Sequence, residues 1–164
     1  MANGKSMVIK SWMVILGVGF IIALGANFFT PDDRKWFNRL QRPRWLTFEK
    51  FIPLIWTVVF VCAGWSAYIV WERNPGTTET WLRMATYILL EILTIAYTPV
   101  MFRLRSLKVG TIIGSAGFVV GLLLTLFVLP VSGTAALLLV PYLLWSPIGT
   151  YTTWAMARLN PQDA

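Results

Sequence analysis

The stretch VGTIIGSAGFVVGLLLTLFVLPVSGTAALLLVPYLLWSPIGTYTTWAMA, from Val109 to Ala157, contains no Asp, Glu, Lys or Arg. An apolar run of about 20 residues crosses a bilayer as a helix, and this one is long enough to do so twice. Pro130-Val131-Ser132-Gly133 sets Pro and Gly close together between apolar flanks, which marks a turn. The runs are helix-length, not the roughly 10-residue alternating strands of a membrane barrel.

The rest of the chain has the same character. Its 164 residues amount to about one domain. They are 57% hydrophobic and 13% charged, against about 25% charged in soluble domains. A soluble domain this short leaves about 30% of its surface wet and cannot hide so much apolar area. The reading is an all-α integral membrane protein, a single domain over residues 1–164. It is a five-transmembrane-helix bundle with spans at about 12–29, 52–71, 81–101, 109–129 and 134–157. Lys5 and Lys10 ahead of the first run resemble a signal peptide. That run exceeds the usual signal core and flows into a basic segment without a small-x-small cleavage site, so it is read as a retained span.

The composition excludes several chemistries. Cys62 is the single cysteine, which rules out an internal disulfide and a multi-cysteine metal site. Histidine is absent, and with it the commonest metal ligand and the usual general base near neutral pH. No catalytic set, no metal site and no required cofactor is read from the residues. The net charge of +7 is assigned to basic loops at an anionic lipid surface, not to nucleic-acid binding.

Those loops predict an orientation. Lys5, Lys10, Arg73 and Arg83 fall on one side. Arg34, Lys35, Arg39, Arg42, Arg44, Lys50, Arg103, Arg105, Lys108 and Arg158 fall on the other. The positive-inside rule puts the larger group, and the C-terminus, on the cytoplasmic side and the N-terminus outside.

The first loop, PDDRKWFNRLQRPRWLTFEKF, is long and basic. Trp36, Phe37 and Leu40 can share one face of a short helix, with Asp32 or Asp33 capping its start and Pro43 ending it. Two readings stand: an interfacial helix with snorkelling basic residues, or a lid over the mouth of the bundle.

Nine tryptophans are several times the usual share. Trp12, Trp71 and Trp81 sit at span ends, where indoles favour the interface. Trp56, Trp65, Trp145 and Trp154 are not explained that way. Trp145 falls about half-way along the last span, where its N–H needs a partner.

This distribution resembles the TspO family, also called the translocator protein or tryptophan-rich sensory protein family. The resemblance rests on Trp36-Phe37-x-x-Leu40-x-x-Pro43-x-Trp45 in the first loop and on Trp56-Thr57, Phe60, Gly64 and Trp71 in the second span. It continues through Ala96-Tyr97-Thr98-Pro99 and Phe102, then Pro141-Tyr142-Leu143-Leu144-Trp145 and Leu159-Asn160. It runs from Thr30 to Asn160. The chain departs from the family's pattern at several places. Thr47 and Phe48 replace a double Pro, and Phe60 replaces a Tyr. Leu90 and Thr94 stand for polar Gln and Asn, and Tyr97 for a Trp. Gly149 stands for the last span's small residue, and Thr153 for an Asn. Tyr151 and Arg158 are too far apart for the animal members' cholesterol motif.

The resemblance implies a five-helix bundle, often a homodimer, that binds porphyrins, other tetrapyrroles or similar flat hydrophobic ligands for sensing, transport or stress regulation. In that family the pocket opens toward the first-loop side, and the resemblance implies that Trp56 and Trp145 stand at its walls. Trp56, Phe60, Tyr97 and Trp145 are then candidate walls, Gly149 makes room, and Thr94 and Thr153 are polar positions. Trp36, Pro43 and Trp45 are candidate lid or mouth residues. The alternative is that the aromatics only pack the bundle. Pro141 and Pro147 can kink the last span, with Thr150, Thr152 and Thr153 satisfying freed carbonyls.

Glu91 is the only Asp, Glu, Lys or Arg away from the ends of a predicted span. A carboxylate there costs about 2.5–3.5 kcal/mol on insertion scales. It is expected to face the interior, a partner subunit or a bound molecule, or to bond backbone. Cys62 reads as packing, and Gly17, Gly19 and Gly25 as close helix contacts. Two rivals to the binding protein stand beside it. One is a small structural subunit of a larger membrane complex, such as a pigment-protein assembly. The other is a porphyrin-degrading enzyme, against which the missing acid–base pair and metal motif count. Membrane lipid is an expected partner in each case, and lipid is also a candidate occupant of the bundle.

Overall fold

The computed structural model describes residues 10–24 and 30–164. Among these residues the chain is all-helical, with no strand. The helices are α1 Ser11–Leu24, α2 Pro31–Arg39, α3 Ile52–Arg73, α4 Thr78–Leu104, α5 Leu107–Val128, α6 Gly133–Leu137 and α7 Val140–Leu159. Four helical segments are long and apolar enough to cross a membrane: Glu49–Arg73, Thr78–Leu104, Leu107–Val128 and Gly133–Leu159. α1 is apolar but shorter, at 14 residues. Residues 25–29 of the predicted first span, with Gly25, lie outside the described residues, as does Lys5.

Hydroxyl side chains set the helix starts. Thr77 accepts from the Thr80 N–H, Ser106 from Val109 and Ser132 from Ala135, each satisfying a donor that the first turn leaves open. Hydropathy alone begins the third and fourth spans at Trp81 and Val109; the caps begin them a few residues earlier. At the end of α4, Arg105 adopts the left-handed conformation at φ 48°. The Ser106 N–H then donates to the Met101 carbonyl at 3.2 Å, closing the helix in a tight reversal that sends α5 back along α4.

The predicted last span is two helices. α6 is a single short piece, and α7 starts after Leu138-Leu139 with Pro141 in its first turn. There its missing N–H costs no helical bond, so Pro141 starts a helix and does not kink one. Pro147 is inside α7 and leaves the Leu143 carbonyl without its helical donor. The threonines do not replace that donor. Thr152 and Thr153 donate to the carbonyls of Ile148 and Gly149, four residues back, at 2.8 and 3.3 Å.

α5 lies against α4 and α7 along a seam of glycines. A Cβ built on Gly110 would sit 2.5 Å from Met101 Sδ. On Gly114 it would sit 2.5 Å from Thr150 Oγ1, and on Gly121 2.5 Å from Tyr142 Cε1. A side chain at any of these glycines would push Met101, Thr150 or Tyr142 aside, and the close approach gives the dispersion contact that holds helices together in lipid.

The core divides toward the two ends of the bundle. One cluster gathers Val59, Val70, Tyr87, Leu124, Val128 and Leu139 from α3 to α7. Within it Ser66 donates to the Ala135 carbonyl at 2.7 Å, so the Tyr87 hydroxyl donates to Ser66 at 2.5 Å. This pins α6 to α3 and α4. Arg83, 7% exposed, donates to the Phe127 carbonyl at 3.2 Å and to Glu79 at 3.2 Å, placing a cation at the C-terminal end of α5. The second cluster gathers Trp36, Leu40, Met101, Phe102, Leu107 and Met156 at the opposite end.

Candidate functional site

The first loop is built from its capping box outward. Thr30 caps α2: its hydroxyl accepts from the Asp33 N–H at 3.3 Å, and its own N–H donates to Asp33 Oδ2 at 2.8 Å. The predicted capping role of Asp32 or Asp33 therefore belongs to Thr30, with Asp33 as its reciprocal partner. Asp32 instead pairs with Lys35 at 3.0 Å. The hydrogen bonds from Thr30 hold the Asp33 carboxyl below the usual range. Leu40 turns the backbone out to an extended conformation, so α2 ends at Arg39, before Pro43 is reached.

α2 is fastened from both sides. Trp36, 3% exposed, packs edge-on against Phe102 at 5.9 Å. Its indole N–H donates to Asp163 Oδ1 at 2.7 Å, and Arg39 donates to the same oxygen at 3.0 Å. The Gln41 N–H donates to Asn160 Oδ1 at 2.9 Å, and Asn160 Nδ2 donates back to the Gln41 carbonyl at 3.0 Å. The first loop is thus clamped to the C-terminal tail. The Asp163 carboxyl is held below its ordinary range, first by the Trp36 N–H and then by Arg39.

Beyond the clamp the loop runs over α7. Pro43 is buried. Trp45 stacks on Tyr151, with centroids 5.8 Å apart. Phe48 meets the edge of Trp145 at 6.1 Å. Of the three candidate lid residues, Trp36 is a core anchor at the second cluster, Pro43 is packed into the loop, and Trp45 covers α7. Phe48, which the sequence offers only as a departure from the double Pro, is the loop residue that touches Trp145.

The candidate wall residues come from three helices. Trp56 of α3 lies 6.4 Å from Tyr142 of α7 and 5.7 Å from Phe60. Phe60 is itself 38% exposed, on the outer flank of α3. The Thr94 hydroxyl donates back to the Leu90 carbonyl at 2.8 Å. Tyr97 and Thr153 hydrogen-bond to each other, so two positions where the family is expected to carry Trp and Asn form a direct α4–α7 link. Gly149 has open space where a Cβ would stand. One turn before it on the same face is Trp145. Its Nε1 is buried and has no hydrogen-bond partner among the described residues.

Glu91 stands apart from this group. It is half-buried and faces α1, where a Cβ on Gly19 would lie 3.2 Å from its Oε1. Its neighbour Leu90, a step of about 100° around the helix, is the one that enters the core. Cys62 is a free, half-buried thiol on α3. Among the described residues no group of three or more acidic, Cys or His side chains is placed to hold a metal ion.

An aromatic-walled, all-helical chain of this kind has known relatives. The TspO/MBR family pattern matches residues 12–159. The chain is 26% identical to the tryptophan-rich protein TspO of Bacillus cereus, over 92% of this chain and 97% of that protein. It is 27% identical to the TspO of Chlorobaculum tepidum, over 89% of this chain and 94% of that one. It is also 27% identical to the human translocator protein, over 87% of this chain and 89% of that one. A match that spans nearly every helix, on four segments long and apolar enough to cross a membrane, leaves one assignment: the chain is a multi-pass integral membrane protein that belongs to the TspO/MBR family.

Proposed function

We propose that the chain is a single five-span membrane domain that takes a porphyrin or similar flat hydrophobic ligand between α3 and α7, in a sensing or transport role. The apolar α1 belongs to the fifth span, the one expected first in the chain. The relatives' names, tryptophan-rich protein and translocator protein, support a membrane role of this kind. One observation carries the ligand reading. The Trp145 N–H is a buried donor without an acceptor among the described residues, set one turn from open space at Gly149. An unsatisfied buried donor costs about 1–3 kcal/mol. A tetrapyrrole carboxylate or ring nitrogen beside Gly149 accepts from it, while Trp56 and the Trp145 ring supply the aromatic faces.

Titration with protoporphyrin IX tests this reading through quenching of tryptophan emission. Trp145→Ala loses both wall and donor and is expected to weaken binding at least tenfold, about 1.4 kcal/mol. Trp145→Phe keeps a ring but no N–H and is expected to fall between that variant and the wild type. Trp81→Ala, 58% exposed before the change, is expected to bind as the wild type does. Unchanged affinity in Trp145→Ala would return these aromatics to plain bundle packing.

The orientation follows from the Lys and Arg distribution, with the first loop and C-terminus inside. In a background with Cys62 replaced, single cysteines at Asn74 and Gln162 are expected to react with impermeant maleimide from opposite faces of sealed vesicles, Asn74 from outside. Labelling of both from one face would refute this topology.

A further inference from the structure

Two recesses lie on the outer face of α7 at the loop end, and they share Trp45 and Tyr151. The inner one, about 460 Å³, is lined by Trp45, Pro147, Ile148 and Tyr151. The outer one, about 570 Å³, adds Arg42, Arg44, Trp154 and Arg158, and no carboxylate lines it. The two differ in chemistry. The inner recess is apolar and opens sideways, with Tyr151 54% and Ile148 43% exposed. The outer one carries three guanidinium groups. Arg42 is paired with Glu49 at 3.0 Å. Arg158 lies 5.1 Å over the Trp154 ring. Among the described residues no carboxylate pairs with Arg44 or Arg158, so two positive charges are left over.

We propose that this groove binds one anionic glycerophospholipid of the surrounding leaflet, with its phosphate at Arg44 and Arg158 and an acyl chain along Tyr151 and Ile148. The dimensions fit. Arg158 and Ile148 are ten residues apart on α7, about 15 Å along the axis, which is half the roughly 30 Å hydrocarbon core. A chain starting at the phosphate level therefore ends near the midplane. The Trp45–Tyr151–Trp154 ladder, with neighbouring centroids 5.8 and 5.5 Å apart, lies where indoles and phenols favour the headgroup boundary. A soluble anion leaves the apolar recess unused, and a zwitterionic lipid leaves the unpaired guanidinium charge uncompensated. The site is outside the Trp56–Trp145 wall and is tested without porphyrin, so it stands or falls separately from the ligand proposed there.

The test uses purified protein in detergent and phosphatidylglycerol with brominated acyl chains, which quenches tryptophan on contact. Saturable quenching at least about tenfold tighter than with brominated phosphatidylcholine is expected, since each surface cation adds appreciably to anionic-lipid affinity. Arg44→Gln/Arg158→Gln is expected to bring the two lipids to the same affinity. Ile148→Trp, which fills the inner recess but keeps the arginines, is expected to weaken phosphatidylglycerol as well, with normal thermal unfolding. Arg73→Gln, at the other end of the bundle, changes nothing. Equal affinity for the two lipids in the wild type, or unchanged binding in both groove variants, would overturn the proposal. Displacement of the lipid by inorganic phosphate would overturn it too, in favour of a soluble anion.

Discussion

Trp36→Ala is expected to release the first loop from the bundle, with the largest stability loss of any single truncation in that region. The indole is 3% exposed, touches Phe37 and Phe102, and donates to Asp163. Removing a buried aromatic of this size costs about 3–5 kcal/mol, and the change also leaves Asp163 with Arg39 alone. Limited proteolysis in detergent reads the effect locally. Cleavage between Gln41 and Lys50 is expected to accelerate strongly, while the α3–α7 core keeps its helicity. An unchanged cleavage rate would mean that the Asn160–Gln41 pair holds the loop without the indole.

The same clamp has a pH signature. The Asp163 carboxyl is held below its unfolded value by the Trp36 N–H and by Arg39. A carboxyl depressed in the folded state contributes stability that is fully present above its unfolded pKa, about 3.9. That contribution is lost as pH falls through the folded value. Loop protection in the wild type is therefore expected to be flat from neutral pH down to about 4 and to weaken below it. Asp33 titrates with the same sign, so Asp163→Asn separates the two: whatever acid sensitivity it retains belongs to the capping box.

The clamp also marks where sequence reading stops. The long helices are legible because apolar length alone predicts them, and the limits read for three of them fall within a few residues of α3, α4 and α5. The break between α6 and α7 is not legible, because Leu138 and Leu139 are as apolar in a turn as in a helix. Asn160 reads only as the end of a motif and Asp163 as an ordinary polar tail residue, yet they meet Gln41, Trp36 and Arg39 across 119 to 127 residues of chain. No local pattern encodes that. In the site, Trp56 and Trp145 are conspicuous as indoles away from the span ends. The contact of Phe48 on Trp145 has no such signal, because a phenylalanine in a basic loop reads equally well as a membrane anchor. The glycine seam was open to reading: Gly110, Gly114, Gly117 and Gly121 recur at the spacing of one helix face.

That seam gives the second large effect, Gly121→Leu. Even the first carbon of a side chain there would sit 2.5 Å from Tyr142 Cε1 and 2.8 Å from its Cδ1. The tyrosine has little room to withdraw. It is 6% exposed, Trp56 stands 6.4 Å away on its other side, and its hydroxyl lies 2.8 Å from where a Cβ on Gly117 would be. Relief therefore requires α5 and α7 to separate, which loosens the contacts at Gly114 and Gly110 as well. Overpacking a tight core costs about 1–3 kcal/mol, and a seam shared by four glycines places Gly121→Leu at or above the upper end. Its thermal unfolding temperature in detergent is expected to fall well below that of Gly17→Leu, where the same side chain meets open space. Gly121→Ala/Tyr142→Leu is expected to recover part of the loss of Gly121→Ala, since the two positions touch and their effects do not add. Independent, additive losses would show that the clash is relieved by a ring rotation, and that the seam tolerates more than its glycines suggest.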